Sequence, residues 1–176
     1  TRRHYLLKLS HERLEQDMLT KPMTLRDSIM HIREIMVTGL QDPSALPHAN
    51  AVMHLLAQTC QLEVAALYPV NQGKVNKKAD ASIGTPQELD LDDALLTYAL
   101  EKNELSHLQT ESLQNAESHY LVVAPLIATN QQCLGVLVVE RMPFLSLNQE
   151  TLQFLGVLLG YYADNVKLIP LAMKIL

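Results

Sequence analysis

The 176-residue sequence has no tryptophan, two cysteines, six glycines and only 5% aromatic residues. Each shortage removes a class of protein. Cys60 and Cys133 stand in apolar surroundings, Leu-Ala-Gln-Thr-Cys60 and Cys133-Leu-Gly-Val, and read as buried small hydrophobes, not as a disulfide framework or a thiolate metal site. The dispersed glycines form neither the Gly-x-Gly-x-x-Gly turn nor the Gly-x-x-x-x-Gly-Lys loop that cradles phosphate, and no Gly-x-Ser-x-Gly nucleophile elbow occurs. Fourteen Lys and Arg against nineteen Asp and Glu give a net charge of -5, so the broad positive field that nucleic-acid backbones require is missing. The longest apolar runs, 121–128 and 154–163, fall well short of the ~20 residues of a membrane-spanning helix, and Pro125 interrupts the first.

What is present is the composition of an ordinary globular domain, 48% hydrophobic and 19% charged. The length suits one compact unit with a helical appendage. The chain begins at Thr1 without a secretory leader pattern and ends on the apolar stretch 167–176, which reads as a module cut from a larger protein.

Residues 2–19 read as a charged helix with a thin stripe of Leu7, Leu14 and Met18, packed on the domain or on a second copy; a solvated leader is the alternative. Pro22 ends it. Thr24 with Asp27 forms a capping signal for a second helix carrying Leu25, Ile29, Ile32 and Met36 on one face, with Gly39 expected as its left-handed C-cap. Asp42-Pro43-Ser44 is a turn, and a third helix with Leu46, Met53, Leu56 and Cys60 on one side runs to about residue 60.

The period then becomes extended. Residues 62–68 read as a strand, 71–78 as a loop with Lys74, Lys77 and Lys78, and 79–84 as a short second strand. Asp90, with Asp92 and Asp93 in the following turn, is expected to cap a helix carrying Leu95, Tyr98 and Ala99, and 105–109 is a short strand. Two β-branched runs, 119–128 and 133–139, joined by polar Thr129-Asn-Gln-Gln132, predict a hairpin. Both runs are apolar at nearly every position, so both faces of the sheet must be covered, by helices on one side and by loops or a pocket on the other. Ser146 with Gln149 predicts the cap of a closing helix bearing Leu147, Phe154, Leu155, Leu158, Tyr162 and Val166.

Chemistry-bearing residues are scattered. The seven histidines His4, His11, His31, His48, His54, His107 and His119 show no His-Glu-x-x-His spacing, and the acidic string at 90–93 lacks the glycine and distal glutamate of a calcium loop. No catalytic residue, metal ligand or cofactor is read from this pattern.

The stretch Ala124-Pro-Leu-Ile-Ala-Thr-Asn-Gln-Gln-Cys-Leu-Gly-Val-Leu-Val-Val139, followed by Pro143-Phe-Leu-Ser-Leu-Asn-Gln-Glu150 and the closing helix, resembles the GAF domains of signalling proteins. Gly135 is expected to let the hairpin approach the neighbouring helix closely. The resemblance implies an α+β fold, an antiparallel sheet with helices packed on one face and an N-terminal helical extension. It divides the chain into an extension at 1–38, a GAF-like domain at 39–168 and the start of a linker at 169–176. Within that family, Lys21-Pro-Met-Thr-Leu-Arg-Asp-Ser-Ile-Met30 resembles the segment before the GAF domain in the PelD group of inner-membrane receptors, which serve the Pel exopolysaccharide system. That narrower resemblance implies preceding membrane helices, a cytoplasmic location and a following degenerate GGDEF domain that binds cyclic di-GMP through Arg-x-x-Asp.

This chain lacks that motif. Its arginines 2, 3, 13, 26, 33 and 141 are followed three residues later by Tyr5, Leu6, Gln16, Ile29, Met36 and Phe144. The expectation is therefore a non-enzymatic regulatory module, homodimeric through its flanking helices. The alternative is a small-molecule sensor of another signalling protein, with Tyr68, Tyr98 and His107 as polar handles in an apolar pocket.

Overall fold

A computed structural model describes residues 24–41, 48–108 and 118–175, with 39–41 and 167–175 as backbone only. The expected helix at 2–19, Leu46 and the turn at 42–44 lie outside the described residues. The elements in chain order are α1 (Leu25–Gln41), α2 (His48–Cys60), β1 (Val64–Asn71), β2 (Lys74–Val75), β3 (Ala81–Ile83), α3 (Ala94–Lys102), β4 (Ser106–His107), β5 (Val122–Ile127), β6 (Cys133–Arg141), a 3-10 turn (Phe144–Ser146) and α4 (Gln149–Ile175). The fold is α+β, as expected.

The sheet is antiparallel throughout, in the order β2-β1-β6-β5-β4, with β3 also paired to β1. The predicted hairpin is its centre: Val123 faces Val138 and Ala124 faces Leu137, while β1 pairs along the other edge of β6 with Ala66 facing Val138. Strand pairing fixes which side chains share a face, since successive residues point in opposite directions. Ala65, Leu67, Val122, Ala124, Leu137 and Val139 face α1, α2 and α4 and join Ile32, Met53, Leu56, Leu155, Leu158 and Tyr162 in the larger core. Ala66, Tyr68, Val70, Val123, Val136 and Val138 face the other way and are covered by Leu89, Leu95, Leu96, Ala99 and Tyr120. Burying each valine, leucine, isoleucine or methionine among them contributes about 1.5–3 kcal/mol. The second face is thus covered by one short helix together with the loop residues Leu89 and Tyr120.

The helix ends follow local chemistry. The Thr24 hydroxyl accepts the Asp27 amide at 3.2 Å, as the capping signal requires. Two end signals shift position. Helix α1 continues past Gly39 to Gln41. The closing helix is capped by Asn148, not Ser146: the Asn148 side chain accepts the Thr151 amide at 2.9 Å, whereas Ser146 lies in the 3-10 turn with its hydroxyl on Gln61. Ser, Thr and Asn are interchangeable as N-caps, so spacing alone does not choose between candidates two residues apart.

Glycine matters at two sites. At Gly135 an added Cβ would lie 3.0 Å from the Tyr68 carbonyl oxygen, so the close approach is to β1 and not, as expected, to a helix. At Gly84 the backbone has φ +70° and a Cβ would come within 2.6 Å of the Glu63 carbonyl. A left-handed backbone strains side-chain-bearing residues other than Asn and Asp by about 1–3 kcal/mol. Gly84→Ala is therefore expected to lower the urea-unfolding free energy by at least that amount, whereas Gly73→Asn, at φ +77° with open space around it, should cost less than about 1 kcal/mol. Equal losses would contradict the steric account.

Candidate functional site

The polar chemistry on the second face converges on Asp93. It is the N-cap of α3, with its Oδ1 accepting the Leu95 and Leu96 amides at 2.9 and 3.2 Å. The same carboxylate accepts the Ser118 hydroxyl at 2.7 Å and the His119 amide at 2.9 Å. Asp93 is only 4% exposed, and four donors replace the water it has lost. Nearby, the Tyr120 hydroxyl accepts the Asp90 amide at 2.8 Å, and Asp90 turns the chain by accepting the Asp92 amide. The acidic string does start the helix, but the cap is Asp93 and not the expected Asp90, which accepts the Asp92 amide in the preceding turn, and the tether of Asp93 to residues 118 and 119 is not marked by any short motif.

Tyr68 and Tyr98 both belong to this second-face cluster. Burial, with smaller contributions from Tyr120 and Glu140, raises the Tyr68 pKa and keeps the phenol neutral. His107 stands elsewhere. It pairs with Val122, whose side chain faces the helical core, so it projects from the opposite face to Tyr68. The three do not line one cavity.

His107 instead borders a surface groove of about 570 Å³ between β4 and the start of α4, with Leu105, Leu147 and Leu152 as apolar walls and Asn148, Gln149 and Gln153 as polar ones. Burial lowers the His107 pKa. The groove has no lysine or arginine in its lining. Leu105, Leu147 and Leu152 are apolar at spacings that also fit core packing, so no sequence signal distinguishes them as groove walls.

The remaining candidates are simpler. Cys60 is buried, as expected of a small hydrophobe, and its thiol is pushed up to about 11, whereas Cys133 is only half-buried, though burial raises its pKa as well. Lys74 lies on β2, and Lys77 is 3.7 Å from Glu88 across an exposed surface. Among the described residues no three His, Cys, Asp or Glu side chains are grouped to hold a metal, and no helix is long and apolar enough to cross a membrane.

A GAF domain family model matches residues 49–163, well over half of the chain. The chain belongs to the GAF domain family. Solved structures agree. PelD 156-455 from Pseudomonas aeruginosa PA14 in its apo form is 29% identical with a TM-score of 0.68, the match covering 81% of this chain and 49% of that one. The same protein in complex with c-di-GMP is 30% identical over 82% of this chain and 50% of that one, again with a TM-score of 0.68. The GAF domain of an Acinetobacter phosphoenolpyruvate-protein phosphotransferase, 17% identical over 87% of this chain and 98% of that one with a TM-score of 0.56, shares the fold. This chain therefore spans about half the length of the PelD chains it matches. No curated protein sequence matches it.

In this GAF domain Asp93 holds the second face shut by joining α3 to the lead-in of β5. Asp93→Ala removes a helix cap and leaves the Ser118 hydroxyl and His119 amide without their acceptor. It is expected to cost about 2–4 kcal/mol in chemical denaturation, against less than about 1 kcal/mol for Asp92→Ala. Similar small losses for both would contradict the tether.

Proposed function

We propose that the chain is the regulatory GAF module of a PelD-like cyclic di-GMP receptor that controls Pel exopolysaccharide production and biofilm formation, and that it scaffolds or transmits a signal without catalysing a reaction. The observation that carries this reading is the match to PelD at 29–31% identity over about half of those chains. The dinucleotide itself belongs to a following degenerate GGDEF domain outside this chain. Two guanines and two phosphates call for arginines in a cleft, and this chain has neither an Arg-x-x-Asp motif nor a lysine or arginine in the groove lining. The second face is already filled by Tyr68, Leu95, Leu96 and Tyr120.

The mechanism is mechanical. Helix α4 runs without interruption from Gln149 to Ile175 and packs on α1, so a displacement at one end is carried to the other. Met30 and Val37, one heptad apart on α1, and Val157 on α4 are apolar and exposed, which supports a homodimer through the flanking helices. In this reading 1–38 is the helical extension, 39–168 the GAF unit and 169–176 the lead into the next domain, on the cytoplasmic side of an inner membrane whose spanning helices precede the chain.

Thermal-shift titration with cyclic di-GMP is expected to leave this chain's midpoint unchanged and to raise that of a longer chain that includes the following domain, because a ligand stabilises only the fold it binds. Saturable stabilisation of this chain alone would overturn the assignment. Sedimentation of the chain with and without residues 1–20 is expected to show a dimer that weakens on truncation, and two monomers at high concentration would sink the dimer.

A further inference from the structure

A part-buried titratable contact joins the start of α2 to the closing helix. His48 opens α2, and its Nδ1 lies 2.7 Å from the hydroxyl of Tyr162 on α4, with the two rings 5.7 Å apart and tilted by 58°. The residues are 114 positions apart in the chain, so this bond ties the first turn of α2 directly to the closing helix. Tyr162 is 2% exposed, and among the described residues its hydroxyl has this one hydrogen-bond partner. We propose that the His48–Tyr162 bond is a proton-sensitive latch, in which protonation of the imidazole loosens the start of α2 from the closing helix.

The chemistry follows from the donor inventory. With the imidazole neutral at Nδ1, the phenol donates to it and both groups are satisfied. An imidazolium carries a proton on each nitrogen, so Nδ1–H must donate to the phenol oxygen and the phenol proton is left to find another acceptor in the core. Leaving a buried donor unpaired is costly. The positive end of the α2 dipole, at the helix start where His48 sits, opposes the new charge as well. The elements packed on α2 are α1, β1, β3 and α4. From them, the groups acting on the ring are the Tyr162 phenol and, next to β3, the Asp80 carboxylate, which favours the charged form. Burial outweighs Asp80, so the pKa is lowered from its usual 6.5.

The sign is fixed by linkage. Between the lowered folded value and 6.5 the unfolded chain holds the proton and the folded chain does not. The stability contributed by the neutral latch is complete above 6.5 and declines as pH falls towards the folded value.

The test is residue-resolved on the full chain. NMR titration of the His48 ring is expected to give a midpoint below 6.5, resolved from that of His107 on β4. Amide exchange, corrected for its intrinsic pH dependence, should lose about tenfold protection in α2 and around Tyr162 per unit by which pH falls below about 6.5, down to the folded pKa, while the β5–β6 hairpin loses less. His48→Gln, which keeps a hydrogen-bonding group without a titratable one, should abolish that difference. Should His48→Gln fail to fold, Tyr162→Phe should raise the His48 midpoint towards 6.5. A wild-type midpoint at or above 6.5, unchanged pH-dependent loss in His48→Gln, or an unmoved midpoint in Tyr162→Phe would overturn the latch.

Discussion

Everything in this domain depends on a sheet whose central strands are apolar on both faces. Strands β1, β6 and β5 alternate between Ala65, Leu67, Leu137 and Val139 on one side and Ala66, Tyr68, Val136 and Val138 on the other. Neither face tolerates water, so each needs its own cover. The larger cover is α1, α2 and α4, built from sequence outside the strands. The smaller is α3 with Leu89 and Tyr120, from sequence inserted between β3 and β5. A register slip of one residue in β6 would exchange the two sets and lose both covers at once.

The smaller cover is held by polar chemistry as well as by burial. A nine-residue helix is too short to be stable in isolation, and α3 is retained by its apolar face and by Asp93. By accepting from the first turn of α3 and from Ser118 and His119, that carboxylate closes the second face at the place where the chain re-enters the sheet. A similar tie holds the hairpin tip to the closing helix, where Asp164 accepts both the amide and the hydroxyl of Thr129 at 2.7 and 2.8 Å. These carboxylates bond across elements and so set how the layers sit on the sheet.

The open groove lies on the opposite face of the sheet from the closed second-face core, where the two-residue strand β4 leaves space beside the start of α4. Its lining holds no lysine or arginine. The exposed Phe144 and Leu145 on the neighbouring 3-10 turn mark the surface where the chain passes from sheet to closing helix.

Local physics was legible in the residue order. The β-branched runs around Thr129–Gln132 specified the hairpin, the 3.6-residue spacing of Ile29, Ile32 and Met36 specified α1, and the acidic residues before Leu95 specified a cap. Each rests on interactions within a few residues, which composition and spacing encode directly. The tertiary structure decided the choice of Asn148 over Ser146, the approach of Gly135 to β1, the placing of His107 on the opposite face from Tyr68, and the contacts of Asp93 with Ser118 and of His48 with Tyr162. Those contacts depend on strand parity and on how layers meet across 25 to 114 positions of chain. No short-range pattern carries such distances, and only packing both faces of one sheet brings the groups together.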